Sequence, residues 1–230
     1  MARGLAKPFI KWAGGKRQLL NELLKRVPES FGAYHEFFLG GGALYFELFN
    51  QGKIKNAVLS DINPRLMNVY EVVKRNPTEL IEELKNKKYV NRKDAFYKIR
   101  ELEPLDSIER AARFIYLNKT AFNGLYRENS RGKFNVPFGR YNNPKIVDQE
   151  TILNASTALQ KAKLLCGDFS EITSVSKKGD FAYFDPPYMP VTETAKFTNY
   201  NAQSFGIEDQ IRLKEVFNAL AKRGVKVLLS

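Results

Sequence analysis

The chain has 230 residues, 43% hydrophobic and 13% aromatic, which fits a globular protein of one domain or one domain carrying an insertion. A single cysteine, Cys166, excludes a disulfide framework and a CxxC metal site, and a single histidine, His35, argues against a His-based metal centre or a Ser-His-Asp triad. No apolar run approaches a membrane span and the N-terminal segment lacks a signal-peptide core, so a soluble, cytoplasmic, metal-independent protein is expected.

The net charge of +12 is concentrated in two stretches. Residues 1–30 carry seven bases against two acids, and residues 110–145 carry eight bases against one acid, Glu128. The remainder is neutral. Basic charge confined to two segments points to a polyanionic partner.

In chain order, residues 17–27 have the spacing of a short amphipathic helix closed by Pro28. Residues 35–39 form an apolar run ending in Gly40-Gly41-Gly42, and residues 43–50 have helical spacing. A strand over 57–59 stops at Ser60-Asp61. Helices are predicted over 64–74 and 77–87, each with Pro in its first turn, and over 94–102 and 107–118. Residues 122–145 are rich in Gly, Asn, Arg and aromatics and show no sustained period, as in a long functional loop or a hairpin insert. Residues 149–160 return to helix. Strands over 163–166 and 181–184 lead to Asp168 and Asp185, and a helix over 207–223 precedes a strand over 225–229. Alternating strands and helices predict an α/β, doubly wound parallel sheet, in which ligands bind at the carboxyl ends of the strands. The Gly triplet, Asp61, Asp168 and Asp185 all fall at such ends.

Glycines between a strand and a helix let the backbone approach a ligand closely, and the helix N-terminus offers amides. An acid about 20 residues on, at the end of the next strand, suits the two hydroxyls of a ribose. The spacing is not GxGxxG, which argues against NAD. Asp185-Pro186-Pro187-Tyr188 is the sharpest signal. Its prolines fix the backbone and remove competing amides, leaving the Asp185 carboxylate and the Pro186 carbonyl as acceptors. Two acceptors on the N–H groups of a nucleobase amine favour a pyramidal nitrogen with an available lone pair. Tyr188 offers a stacking face. Residues 11–16 lack the spacing of a phosphate loop, so ATP binding is rejected. Within the basic stretch, charge supplies phosphate affinity, and aromatics suit the gap left by an extruded base, although Phe114 and Tyr116, at helical spacing, are expected in the core. Cys166 is expected as a small buried residue of a strand, and His35 as a packing residue.

The blocks Lys11–Lys16, Phe38–Gly42, Ser60–Asn63, Phe122–Arg127, Gly132–Gly139, Gly167–Phe169 and Asp185–Tyr188, in this order, resemble the DNA adenine-N6 methyltransferases of the Dam type, the D12 class of alpha-class amino-methyltransferases. The resemblance runs along nearly the whole chain. It implies a Rossmann-like fold dependent on S-adenosylmethionine (SAM), with residues 1–75 and 149–230 as the catalytic domain and 76–148 as an inserted, mostly helical DNA-recognition subdomain. By the same resemblance, Trp12, Lys16, Phe38, Gly40, Gly42, Asp61, Asp168, Phe169 and Asp185 would bind the cofactor. Asp185, Pro186, Pro187 and Tyr188 would hold the flipped adenine. Lys11, Phe122, Asn123, Leu125, Arg127, Asn135, Pro137 and Arg140 would contact double-stranded DNA, Lys11 and Arg127 at guanines and Pro137 at a thymine methyl, as in a GATC reader. Arginine suits guanine O6 and N7, and apolar groups suit the thymine methyl. A partner restriction endonuclease is compatible with the resemblance.

The chain departs from the family at Phe37, where Pro is usual, and the bulk is expected to alter the cofactor pocket. Relatives continue beyond the position of Ser230, so a missing C-terminal part is expected. Two other readings compete: a catalytically silent DNA-binding module, and a methyltransferase acting on cytosine N4 or on RNA.

Overall fold

A computed structural model of the chain describes residues 4–14, 19–187 and 205–230. Five parallel strands, β1 (Tyr34–Glu36), β2 (Ala57–Asp61), β3 (Ala162–Cys166), β4 (Phe181–Phe184) and β5 (Lys226–Leu229), form one sheet in the order β3-β2-β1-β4-β5. The chain moves outward from β1 to β3 and then returns to place β4 on the other side of β1. The strand order therefore reverses between β1 and β4, and such a switch point opens a crevice at the carboxyl edge of the sheet.

Among the described residues, eight helices fall on the segments that the periodicity predicts, α1 (Leu20–Leu24), α2 (Ala43–Asn50), α3 (Pro64–Arg75), α4 (Pro77–Leu84), α5 (Lys93–Glu101), α6 (Ser107–Thr120), α7 (Gln149–Leu159) and α9 (Ile207–Arg223), and the single turn α8 (Ile172–Val175) adds to them. Their starts are chemically marked. Asn63 accepts hydrogen bonds from the amides of Arg65 and Leu66 ahead of Pro64, and Asp106 does the same for Ile108 and Glu109. Gly224, at φ +82°, closes α9.

The sheet is covered on both faces. One hydrophobic cluster joins β1 and β2 to α2, α3 and α7 and continues without a break into α4, α5 and α6 through Leu80, Ile81, Phe96 and Ile115. A second, smaller cluster packs Phe37, Phe169, Ile172, Ala182 and Phe184 against Leu213, Val216 and Leu220 of α9. The helices of the predicted insertion thus share a core with the sheet domain, which fixes the insertion relative to the crevice.

Two predicted elements differ in extent or exposure. The apolar run from His35 gives only a three-residue strand, because pairing with β2 and β4 ends at Glu36 and the chain turns there into the glycine loop. Cys166, expected to be buried, is exposed. It is the last residue of β3, a terminal strand of the sheet, at the open carboxyl edge beyond the covering helices. His35 does pack, at 1% exposure, with Nε2 2.9 Å from Asp180 Oδ2, and burial holds its pKa below the ordinary value against the pull of that carboxylate. No described helix is long and apolar enough to cross a membrane.

Candidate active site and DNA-facing loop

The crevice is a cavity of about 780 Å³, within the size range of small-ligand sites. Trp12, Phe38, Gly40, Gly42, Asp61, Asp168, Phe169, Asp185, Pro186 and Pro187 all line it. Gly40, Asp61, Asp168 and Asp185 are therefore brought together as their strand-end placement predicts, and Trp12 joins them from the N-terminal segment. Lys16 and Tyr188 lie outside the described residues.

The glycine loop forms the floor. Gly40 and Gly42 adopt φ of +47° and +65°. A Cβ on Gly40 would stand 2.6 Å from Trp12 Cδ1, so the indole lies directly over the loop. The Gly40 amide donates to Asp61 Oδ2 at 3.0 Å, and its carbonyl accepts from the Tyr70 hydroxyl at 2.9 Å. Asp61 Oδ1 accepts from the Asn63 amide at 3.0 Å. Burial pushes the Asp61 carboxyl upward, while these amides hold it down. Each of its oxygens has a second lone pair for a ligand hydroxyl.

On the opposite wall, Asp168 caps the 3-10 turn Phe169–Glu171, accepting at Oδ1 from the Ser170 amide and hydroxyl. Phe38 stacks on Phe169 at 5.3 Å between centroids, and Phe205 meets Phe38 edge-on at 5.6 Å. Phe37, the departure from the family pattern, also lines the cavity, while its side chain belongs to the α9-side core. Asp185 follows β4, and its Oδ1 accepts from the Ser230 hydroxyl at 3.2 Å.

Sequence reasoning missed two kinds of residue here. Glu36, the last residue of β1, lines the cavity at 3% exposure and accepts from the Tyr34 hydroxyl at 2.9 Å. Burial, with Asp185 adding to it, pushes its carboxyl up to about 8 against the Tyr34 hydrogen bond. An acid inside an apolar strand next to a glycine triplet was a usable signal. Phe205, Asp209 and Arg212, from α9 and the residues just before it, complete the outer wall. Nothing in the spacing of that helix distinguishes Arg212 from an ordinary solvated base.

Residues 121–139 form the hairpin-like insert. Ala121 pairs with Phe138 and Glu128 with Phe134, and the Phe122 amide donates to the Pro137 carbonyl at 2.9 Å. Lys11, Phe122, Asn123, Leu125, Arg127, Pro137 and Arg140 are exposed, and Asn135 is half-buried. Asn135 Oδ1 accepts from Arg127 Nε at 2.8 Å, which holds that guanidinium in place. Lys11 Nζ lies 4.0 Å from the Tyr141 ring centroid. The buried Asn118 ties this surface to the cavity wall. Its Oδ1 accepts from the Lys11 amide at 2.8 Å, and its Nδ2 donates to the carbonyls of Lys11 at 2.7 Å and Gly124 at 3.1 Å.

The aromatics of the basic stretch serve packing more than expected. Phe114 and Tyr116 are buried as predicted, but so is Phe134, while Tyr126 stacks on Trp12 and Phe114 and Phe138 packs on Phe96. Phe122, 52% exposed, is the large hydrophobic that this stretch displays most openly. One of its eight bases is also internal: Arg113 is buried, with its guanidinium on the carbonyls of Ile99 and Arg100.

A doubly wound sheet with its ligand cavity at the switch point and an exposed basic hairpin beside it defines an α/β enzyme built to act next to a polyanion. The family model for D12 class N6 adenine-specific DNA methyltransferase matches residues 12–230, and the chain belongs to that family. It is similar to the type II methyltransferase M1.LlaDCHI of Lactococcus lactis subsp. cremoris, at 45% identity over 97% of this chain and 80% of that protein. It is also similar to the type II methyltransferase M.MjaIII of Methanocaldococcus jannaschii, at 43% identity over 97% and 83%. A DNA adenine methylase of Escherichia coli K12 is 34% identical over 97% and 80%. The family is that of adenine-specific DNA methyltransferases, which favours adenine in DNA over cytosine N4 or RNA as the substrate.

Proposed function

We propose that the chain binds SAM in the switch-point cavity and methylates adenine N6 within GATC in duplex DNA, with the target base swung out of the helix. The carrying observation is that one cavity gathers the close-approach loop at Gly40, the ribose-type acceptor Asp61, the aromatic slot beside Asp168, and Asp185-Pro186. The residues fit the group: glycine at position 40 lets the Trp12 indole close directly over the loop, and the carboxylates of Asp61, Asp168 and Asp185, suited to hydroxyls, an amine and a cationic tail, line the same cavity. When bound, SAM supplies an electrophilic methyl that an amine attacks directly.

The chain's own residues do the positioning, which for such a reaction supplies much of the rate. Trp12 and the Gly40–Gly42 loop hold the cofactor's tail, Asp61 its ribose hydroxyls, and Asp168 and Phe169 its adenine. The Asp185 carboxylate and the Pro186 carbonyl accept from the two N–H groups of the target amine. The amine enters with two hydrogens and leaves with one, so a single proton is released, and the Asp185 carboxylate stands where it can take it up. Residues 76–148 act as the recognition insert, and residues 1–75 with 149–230 as the catalytic domain. Lys11 and Arg127 read guanines, with Asn135 holding Arg127. Pro137 meets a thymine methyl, Phe122, Asn123 and Leu125 occupy the duplex near the extruded base, and Arg140 contacts the backbone. The cytoplasm is the expected compartment. The names of the two type II relatives favour a modification role alongside a restriction endonuclease.

Transfer of labelled methyl from SAM to duplex oligonucleotides tests the reading. Incorporation into GATC but not into a scrambled or already N6-methylated site is expected, together with its loss in Asp185→Ala. Equal incorporation into scrambled duplexes would overturn the GATC assignment.

A further inference from the structure

Arg212 lies on the outer wall of the cavity and has three engagements. Its Nη2 donates to Asp168 Oδ1 at 2.5 Å, its Nη1 donates to Asp209 Oδ1 at 3.0 Å, and its guanidinium carbon lies 5.0 Å from the Phe169 ring centroid. Asp209 is itself anchored, because its Oδ2 accepts from the Gly206 amide at 3.0 Å. The guanidinium is therefore held over the Phe169 ring by two carboxylates. Three donors converge on Asp168 Oδ1: the Ser170 amide, the Ser170 hydroxyl and Arg212. Among the described residues, none is recorded as donating to Oδ2.

We propose that Arg212 is a positioning residue for cofactor recognition. By engaging Asp168 Oδ1 it leaves Oδ2 as the acceptor for the exocyclic amine of the cofactor's purine, and so sets the preference for adenine over a 6-oxo purine. The inference rests on the reading that Asp168 faces the cofactor's base. An amine donates to a carboxylate oxygen, whereas a 6-oxo group presents lone pairs to it and is rejected. The pair also explains why Asp168, despite partial burial that pushes its carboxyl upward, is held below the ordinary range by Ser170 and Arg212. The ionised, acceptor-only form is the one that discriminates.

The test measures equilibrium binding of S-adenosylhomocysteine and S-inosylhomocysteine to the full chain, to Arg212→Met and to Arg212→Lys, with thermal melts confirming folding. The wild type is expected to prefer the adenosyl ligand by about tenfold or more. Arg212→Met should shrink that preference about three- to tenfold, a figure reduced by the half-exposed setting of the pair, and Arg212→Lys should retain part of it. Loss of the guanidinium should also move the acid fall-off of adenosyl affinity to higher pH, which a merely structural role would not do. Three outcomes are separable. A wild type that binds neither ligand sinks the cofactor reading itself. A wild type that binds both equally sinks the assignment of Asp168 to the base. A wild type that discriminates, with both variants keeping the full ratio and an unmoved pH profile, overturns the inference about Arg212 alone.

Discussion

Glu36 offers the most direct test of the site's electrostatics. It ends β1, is 3% exposed, and keeps its proton up to a pKa of about 8, against 4.5 for an ordinary glutamate. Between those values the unfolded chain has lost this proton and the folded chain has kept it. Unfolding therefore releases a proton, and the Glu36 contribution to stability falls by about 1.4 kcal/mol per pH unit. It is fully present below about pH 4.5 and gone above about pH 8, a total of about 5 kcal/mol over the window. Glu36→Gln keeps the shape and removes the titration. Urea unfolding of both proteins, followed by circular dichroism at half-unit steps from pH 5 to 9, isolates the effect, since groups common to both cancel in the difference. The wild type should lose stability relative to Glu36→Gln by several kcal/mol between pH 5 and 8, then level off. A difference that stays flat within about 1 kcal/mol would show that Glu36 titrates as an ordinary surface acid, and would refute the reasoning from burial.

Three further outcomes follow from named contacts. Gly40→Ala puts a Cβ 2.6 Å from Trp12 Cδ1 on a backbone at φ +47°, so S-adenosylhomocysteine affinity by calorimetry should fall at least about tenfold while the far-UV spectrum is retained. Asn118→Ala removes three hydrogen bonds and strands the Lys11 amide and the Lys11 and Gly124 carbonyls, which should cost about 2–4 kcal/mol in chemical denaturation. Arg127→Ala should weaken binding to a GATC duplex by about 1–3 kcal/mol and relax discrimination at one base pair, measured by competition with singly substituted duplexes, and Asn135→Ala should reproduce a fraction of both effects through the freed guanidinium.

The sheet and its carboxyl edge were legible because the residues that end each strand have their own chemistry. Asp61-Ile62-Asn63-Pro64 shows why: the Asp61 carboxylate accepts from the Asn63 amide, Asn63 then caps α3, and Pro64 fills the first helical position where no donor is needed. Local rules of that kind survive any tertiary context. Residues whose place is made by distant chain leave no such trace. Arg212 meets Asp168 across 44 positions and Asn118 meets Lys11 across 107, and in each case a polar residue on a helix reads from spacing alone as solvated or merely tolerated. Aromatic composition is ambiguous for the same reason. Phe122 and Phe134 sit in similar surroundings of Gly, Asn and basic residues, yet one is 52% exposed and the other 4%, because Phe134 packs on Tyr126, which itself stacks on Trp12 and on Phe114 of α6, whereas Phe122, at the base of the hairpin, lies outside that cluster. Composition can say that a basic segment has rings to offer. Which ring reaches a partner is decided by which ones the core has already used.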